Sequence, residues 1–170
     1  MSGKKIDRAG QGNVMSRILA IDPGTAQSGV VQTEDGVITL ACVMFNETLL
    51  ERVRVTGAYV ANGLVAPMVF AIERFEARGM PIGEDSIETV IWTGRFMQAW
   101  HTPDDVVLIR RSAIKVGLCG TSKAKDANIR QALIDRLGPP GSKKSPGPTF
   151  GVTSHAWAAL AVAVTAQGTA

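Results

Sequence analysis

Two acidic residues, Asp22 and Glu73, each follow directly after a short apolar run. Asp22 comes after residues 17–21 (RILAI) and precedes a Pro-Gly pair, and Glu73 comes after residues 67–72 (PMVFAI). Apolar runs of this length between turn residues predict buried strands, and neighbouring strands lie about 4.8 Å apart. Two carboxylates at that separation repel each other and favour a hard cation, Mg²⁺ or Mn²⁺, between them. Two such ions about 3.5–4 Å apart would suit in-line displacement at phosphorus.

Each acid also has a simpler structural interpretation. The carboxylate of Asp22 is suited to an Asx-turn, in which it caps the backbone of its own turn. Glu73 has Arg74 and Arg78 close behind it, and either arginine is a suitable salt-bridge partner. The residues alone leave these alternatives open beside the metal site.

The apolar patterning predicts the elements that would position these acids. Three antiparallel strands are expected at residues 17–21, 29–33 and 37–45, and two more at residues 67–72 and 106–109. Helices are expected from an Asn46 N-cap towards Gly63, over residues 85–100, from Ser122 or Asp126 to Leu137, and over residues 154–167. Strands followed by alternating helices favour an α/β fold with a mixed five-stranded sheet flanked by helices.

Two segments are predicted to lack regular structure. Residues 1–15 show no periodicity and are interpreted as a flexible arm before a single domain at residues 16–170. Residues 138–148 contain four prolines, three glycines and two lysines, which predicts a flexible basic loop.

Composition limits the class of protein. The chain has 170 residues, 45% of them apolar and 19% charged, which favours one soluble globular domain. Two cysteines, Cys42 and Cys119, are too few for a disulfide scaffold and are expected to be buried thiols in a reducing cytosol. The basic start lacks the apolar core of a signal peptide, and residues 156–166 are too short to span a membrane. We therefore expect a cytoplasmic protein without a membrane partner.

The positive charge is concentrated in about one fifth of the chain. The net charge is +3, but residues 110–144 hold nine Lys and Arg against two Asp. Such a surface is typical of nucleic-acid binding, and a solvated basic face is the alternative. Lys115, Lys123, Lys125, Lys143 and Lys144 are the candidate phosphate contacts. Arg74, Phe75 and Arg78 follow Glu73, and Phe75 is suited either to stacking on DNA or to packing.

The helix at residues 85–100 carries two apolar stripes. Ile87, Val90, Ile91, Gly94 and Met97 share one face, and Trp92, Phe96 and Trp100 share another. A surface helix needs one such face for its own core. The second stripe therefore predicts a partner, such as the same helix of another subunit, or a helix that is buried on both sides.

Four segments together give the chain a resemblance to a known family. These are the segment "IDPGTAQSGV" with Asp22, the segment "FAIERF" with Glu73, the basic segment "GTSKAKDANIRQALIDRLG" and the closing helix "SHAWAALAVAV". In this order they resemble a RuvC-type Holliday junction resolvase of the RNase H-like superfamily, in the form found in phages, from residue 17 to residue 165. The resemblance implies an RNase H-like fold and a homodimer that cuts four-way DNA junctions with Mg²⁺ or Mn²⁺. It makes Asp22 and Glu73 metal ligands, and it places a phage-encoded protein in the host cytoplasm.

The last helix matches the family only in part. The resemblance expects acidic or histidine ligands one turn apart, and the matching positions are His155 and Ala158. His155 is suited to binding a metal or accepting a proton from water, or else to capping the helix. Ala158 offers no ligand, so the chain either works with fewer ligands or is a weakened form. Asp126 is a further candidate for the site, with helix N-capping as its alternative.

Water assisted by His155 would attack a backbone phosphate in line at this site. Three other functions compete with a junction endonuclease: an RNase H-type nuclease on RNA/DNA hybrids, a junction-binding protein that does not cut, and an actin-fold sugar kinase. The kinase is suggested by the "AIDPGT" turn but needs a second lobe, which we do not expect in 170 residues.

Overall fold

A computed structural model describes residues 16–77, 79 and 81–168, so the predicted arm at residues 1–15 and the side chain of Arg78 lie outside the described residues. The first three strands are β1 (Arg17–Asp22), β2 (Gln27–Glu34) and β3 (Val37–Phe45), and they pair antiparallel as expected. Asp35 and Gly36 join β2 to β3 with φ of 50° and 80°. Two consecutive positive φ angles are typical of the tight turn that matches strand twist in a hairpin.

Two parallel strands complete the main sheet. Helix α1 (Asn46–Ala61) leads to β4 (Val69–Arg74), which pairs parallel to β1. Helix α2 (Glu84–Ala99) and a single 3₁₀ turn (Pro103–Asp105) lead to β5 (Val107–Arg110), which pairs parallel to β4. The strand order is β3-β2-β1-β4-β5. The predicted mixed five-stranded α/β sheet is thereby confirmed.

Helices cover both faces of this sheet. Helices α3 (Arg111–Cys119), α4 (Asp126–Leu137) and α5 (Ala156–Gln167) pack on the face that carries Ala20 and Ala71. Helices α1 and α2 pack on the opposite face, against Leu19 and Phe70. Helix α5 is buried along most of its length, which accounts for its nearly continuous run of alanine and valine.

The structure differs from four local predictions. Helix α3 was not expected, because it follows β5 without a linker and its nine residues include a glycine. The loop at residues 138–148 contains a small hairpin, β6 (Gly141–Ser142) and β7 (Ser145–Pro146). Asn46 does not cap α1: Phe45 is at the N-cap and the Asn46 side chain bonds elsewhere. Helix α5 also begins at Ala156, two residues later than expected.

The two stripes of α2 have different surroundings. Trp92 and Phe96 are buried against the sheet, whereas Ile87, Val90 and Ile91 are 52%, 48% and 49% exposed. The aromatic stripe therefore forms the core contact, and the aliphatic stripe is uncovered in the single chain.

Two expectations drawn from composition also have an outcome. Cys42 and Cys119 are free thiols, and they are half-buried rather than fully buried. In the part of the chain that the structure covers, no helix has the length and apolar character needed to cross a membrane.

Candidate active site

Asp22 and Glu73 lie side by side at the carboxyl edge of the sheet. Ile21 pairs with Ile72 in the parallel β1–β4 ladder, so the next residue of each strand is an acid. Side chains alternate between the faces of a strand, and both acids share the face of Ala20 and Ala71, which α3, α4 and α5 cover. Both side chains are only 16% exposed. The two predicted strand-end carboxylates thus face a common, partly buried space.

This closeness disturbs the protonation of both acids. Burial raises the pKa of Asp22, and a hydrogen bond with His155 partly offsets that effect. Burial and then the negative charge of Asp22 raise the pKa of Glu73 to about 7, although Arg111 acts in the opposite direction. Burial is the largest cause in both cases, so the site favours the uncharged form of each carboxyl group.

Arg111 is the cation that the fold itself places at this site. It is the first residue of α3, and its Nη1 donates to Oε2 of Glu73 at 3.1 Å. Its Nη2 donates to Oδ1 of Asp126, at the start of α4, at 2.5 Å. From the sequence, Arg111 was interpreted only as part of the basic segment. Its acidic partners are 38 and 15 residues away along the chain, so these contacts leave no local signal.

His155 reaches the site from the turn before α5. Its Nδ1 lies 3.2 Å from Oδ2 of Asp22, and its side chain is 64% exposed. The approach depends on Gly29, the β2 partner of Asp22, because a Cβ there would lie 2.2 Å from the backbone oxygen of His155. Ser154 turns the chain just before His155 with a φ of 47°. Gly29 could not be recognised as a site residue from the sequence, because a single glycine in a strand is not a specific signal.

A second set of contacts holds the turn after Asp22. The Ser28 hydroxyl donates to Oδ1 of Asn46 at 2.7 Å and accepts from the backbone N–H of Gly24 at 3.1 Å. The Asn46 amide donates to the Gly24 carbonyl at 2.9 Å. Ser28 and Asn46 are fully buried, so the first residue of α1 fixes the loop that carries Asp22.

Arg111 separates two cavities. One, of about 220 Å³, is lined by Asp22, Pro23, Glu73, Arg74, Phe75, Glu76, Thr89 and Arg111. The other, of about 240 Å³, is lined by Arg111, Asp126, Ile129, Arg130, Ser154, His155, Trp157 and Ala158. The carboxyl ends of β1 and β4 and the start of α3 line the first cavity, whereas the starts of α3, α4 and α5 line the second.

Solved structures share this architecture. Thermus thermophilus RuvC in complex with a Holliday junction substrate aligns with a TM-score of 0.60 and 20% identity, over 88% of this chain and 92% of that chain. The chain has the fold of RuvC. Another structure of Thermus thermophilus RuvC aligns with a TM-score of 0.56, at the same identity and coverage. No protein-family model and no curated protein matches the sequence.

The RuvC-like fold distributes the predicted DNA contacts unevenly. Arg74 and Phe75, two of the predicted DNA contacts, line the same cavity as Asp22 and Glu73. Of the described residues that line either cavity, none is one of the five predicted lysines. Lys115 lies in α3, Lys123 and Lys125 precede α4, and Lys143 and Lys144 form the tip of the β6–β7 hairpin.

The donor atoms at this edge of the sheet suit a hard divalent cation. Asp22 and Glu73 offer hard oxygen atoms, the ligands that Mg²⁺ and Mn²⁺ prefer. Among the described residues, no three His, Cys, Asp or Glu side chains are gathered as a closed metal cage. Mg²⁺ is commonly held by one or two carboxylates with waters and substrate phosphates. The acid pair fits such an open site, with His155 beside it and Ala158 offering no ligand.

Proposed function

We propose that this RuvC-like chain is a divalent-metal-dependent endonuclease that cuts four-way or other branched DNA by phosphodiester hydrolysis. The observation that carries the proposal is that Asp22 and Glu73 directly follow the paired residues Ile21 and Ile72 at the carboxyl edge of β1 and β4. The fold is shared with a RuvC whose structure contains a Holliday junction substrate, and this likeness suggests the substrate.

The acid pair is the proposed metal site, with Mg²⁺ as the ion and Mn²⁺ as a substitute. The metal would supply positive charge to the scissile phosphate and the leaving oxygen. Asp22 and Glu73 would hold it, and their half-buried position keeps the carboxylates in place. Because the strand ends are fixed by pairing on both sides, little reorganisation is needed when the substrate arrives.

His155 is the proposed general base. When its Nδ1–H donates to the Asp22 carboxylate, the lone pair of the imidazole lies on Nε2. Nε2 can then accept the proton of a water molecule that attacks the phosphate in line. The hydrogen bond to Asp22 orients the ring and favours this tautomer.

The two cavities beside Arg111 together form the cleft of this protein. Two groups of residues around this cleft are proposed to bind DNA. Arg74 and Phe75, which line the cavity of the acids, would contact the strand at the scissile phosphate. Lys115, Lys123, Lys125, Lys143 and Lys144 would bind phosphates further along the duplex arms, and Arg78 is assigned to the same surface by its sequence position. Phosphate contacts of this kind position DNA without reading its sequence.

We further infer a homodimer that pairs the aliphatic face of α2. Ile87, Val90 and Ile91 are about half exposed on this face. Gly94 lies in the same stripe, and a Cβ there would meet no atom within 4 Å. A small residue in an apolar stripe lets two helices approach closely. Two copies joined in this way would present two acid pairs to the two cut strands of a junction.

Ala158 favours a second candidate function, a junction-binding protein that cuts weakly or not at all. It lies one helical turn after His155 and lines the cavity shared by Arg111 and Asp126, where it offers no carboxylate. In this alternative the cationic surface still binds branched DNA, while no divalent ion restores cutting.

The deciding experiment compares binding and cleavage in the same variants. Asp22→Asn and Glu73→Gln should bind a labelled four-way junction as the unaltered chain does, and should cleave it at least about 100-fold more slowly in Mg²⁺. The matched control is Asp135→Asn, a charge change at an exposed position of α4. An RNA/DNA hybrid and a linear duplex serve as competing substrates.

Each outcome separates the candidates. Preferred cutting of the hybrid would favour the RNase H-type alternative. Tight junction binding by the unaltered chain without cleavage in Mg²⁺ or Mn²⁺ would favour the non-cutting alternative. Loss of junction binding in both acid variants would contradict the assignment of these residues to catalysis.

A further inference from the structure

Arg111 holds Glu73 and Asp126 with the two arms of one guanidinium group. The Nη1 contact to Glu73 is 3.1 Å and the Nη2 contact to Asp126 is 2.5 Å. The Arg111 and Glu73 side chains are 19% and 16% exposed, whereas that of Asp126 is 84% exposed. The guanidinium therefore has one anchor inside the cleft and one at its rim.

The inner contact competes with any other cation at Glu73. A carboxylate oxygen that accepts a hydrogen bond from a guanidinium is less available as a metal ligand, and the arginine charge repels a divalent ion. Arg111 starts α3 directly after β5, so its backbone is held by the sheet. Only its side chain has freedom to move away from Glu73.

The fold provides both a direction and room for such a movement. The cavity of about 240 Å³ lies on the Asp126 side of Arg111. Ala158 lines that cavity with a single methyl group, so residue 158 leaves space for the guanidinium. A side chain that already contacts Asp126 can leave Glu73 without losing both partners at once.

We propose that Arg111 is a positioning residue that neutralises Glu73 in the metal-free chain and withdraws onto Asp126 when a divalent cation binds. Asp126 then acts on the acid pair through Arg111 and is not itself a metal ligand. The proposal rests on the proposed function insofar as it takes the acid pair as the metal site. It assigns the arginine and the α4 aspartate one joint role, which is to set how readily the cleft exchanges its own cation for a metal.

The test is a double-mutant cycle read out as metal affinity, without DNA and without turnover. Mn²⁺ binding to the full chain is measured by isothermal titration calorimetry for the unaltered protein, Arg111→Gln, Asp126→Asn and the double variant. Arg111→Gln removes the competing charge and should tighten Mn²⁺ binding about tenfold. Asp126→Asn leaves the arginine on Glu73 alone and should weaken binding about fivefold. In the Arg111→Gln background, Asp126→Asn should change the affinity less than about twofold.

Matched controls test whether a change of net charge alone alters Mn²⁺ affinity, and a second variant of Arg111 is available if the first does not fold. Asp135→Asn and Arg136→Gln make the same charge changes on the exposed part of α4 and should leave Mn²⁺ affinity within about twofold. Asp22→Asn in the Arg111→Gln background should abolish the tight binding, which locates the ion at the acid pair. If Arg111→Gln is not folded by circular dichroism, Arg111→Lys replaces it. Lysine keeps the charge but lacks the two-armed fork, so the effect of Asp126→Asn should fall below about twofold in that background also.

The results that would overturn the proposal are distinct from those that would overturn the nuclease. If Asp126→Asn weakens Mn²⁺ binding equally in the unaltered and the Arg111→Gln proteins, Asp126 is an independent metal ligand. If Arg111→Gln leaves Mn²⁺ binding unchanged or weaker, Arg111 does not compete with the ion for Glu73. Absence of Mn²⁺ binding in every variant would also overturn it, whereas binding that appears only in Arg111→Gln would support it. Junction cleavage by the unaltered chain with no arginine effect on Mn²⁺ leaves the nuclease standing and the proposal refuted. If the Arg111 variants change Mn²⁺ affinity as expected but no variant cleaves the junction, the arginine proposal stands and the nuclease is refuted.

Discussion

The backbone oxygen of His155 rests against Gly29, so closely that a Cβ on the glycine would lie 2.2 Å from it. Gly29 pairs with Asp22 across the β1–β2 ladder, so this contact sets His155 beside the acid to which it hydrogen-bonds. A side chain at residue 29 would push the turn before α5 away from the sheet and separate the imidazole from Asp22.

We therefore expect Gly29→Ala to lower the free energy of unfolding by about 1–3 kcal/mol and to slow cleavage more than its stability loss explains. Chemical denaturation measures the first effect, and a junction assay well below the melting temperature measures the second. Gly117→Ala is the matched control. Its Cβ would meet no atom within 4 Å in helix α3, so alanine there should stabilise by about 0.5–1 kcal/mol. A Gly29→Ala protein as stable as the unaltered one would refute the close approach.

Glu73 should make the metal-free protein less stable as the pH rises. Its pKa is about 7 in the folded chain against 4.5 as the ordinary value, so the folded state keeps a proton that the unfolded state releases. The stability is fully present below about pH 4.5 and is lost as the pH rises through 7. With EDTA at pH 8, Glu73→Gln should thus be more stable than the unaltered chain, by up to about 3 kcal/mol.

Denaturant titrations of both proteins between pH 4 and pH 8 measure this difference. It should vanish near pH 4, and it should shrink at pH 8 when Mg²⁺ is added, because the ion stabilises only the chain that binds it. A difference that is constant across this pH range would mean that the Glu73 carboxyl is not perturbed by its surroundings.

Restoring a carboxylate one turn after His155 should strengthen the metal site. Residue 158 lines the cavity that also contains Asp126 and His155, so Ala158→Asp would add a hard oxygen ligand on the same cavity wall as His155, which contacts Asp22. We expect cleavage at limiting Mg²⁺ to rise about tenfold. Thr48→Asp, at an exposed position in the first turn of α1, adds the same charge on the other side of the sheet and should have no effect. Equal cleavage in Ala158→Asp and the unaltered chain would mean that no ligand is missing.

The aliphatic stripe of α2 should control the oligomeric state. Ile91→Asp places a charge at the centre of the stripe and should convert a dimer to a monomer in sedimentation velocity, since an unpaired charge in an apolar interface is costly. Val116→Asp makes the same change at a residue of α3 that is 52% exposed, and it should leave the dimer intact. A protein that is monomeric before any substitution would contradict the proposed pairing.

The sequence was informative where the chemistry is local. An acid at the end of an apolar strand, followed by a turn, can be recognised from six consecutive residues, and both Asp22 and Glu73 were predicted in this way. Their positions as neighbours depend on the parallel pairing of β1 with β4, which links residues about fifty positions apart. The antiparallel β1–β3 unit was predictable because the Asp-Gly turn between β2 and β3 is itself a local signal.

Interactions across long sequence separations were missed. Arg111 was interpreted as one charge among nine, although its fork ties the end of β4 to the start of α4. Asn46 matched the residue preference of a helix cap, yet tertiary hydrogen bonds to Ser28 and Gly24 use its side chain instead. Helix α3 was missed because it follows β5 without a linker and its nine residues include a glycine, whereas packing of Ile114 against the core stabilises it.

The direction of β4 also determines where the molecule tolerates attachments. The loop at residues 62–68 enters this strand at Val69, about 13 Å from Glu73 along the strand. Leu64 in that loop is 70% exposed, and Gly63 has open space around it. A fluorophore or fusion partner joined there would travel with the rigid strand that carries Glu73 while staying clear of the cleft that is proposed to bind DNA. Single-molecule recordings could then follow the protein on its substrate without obstructing the cleft.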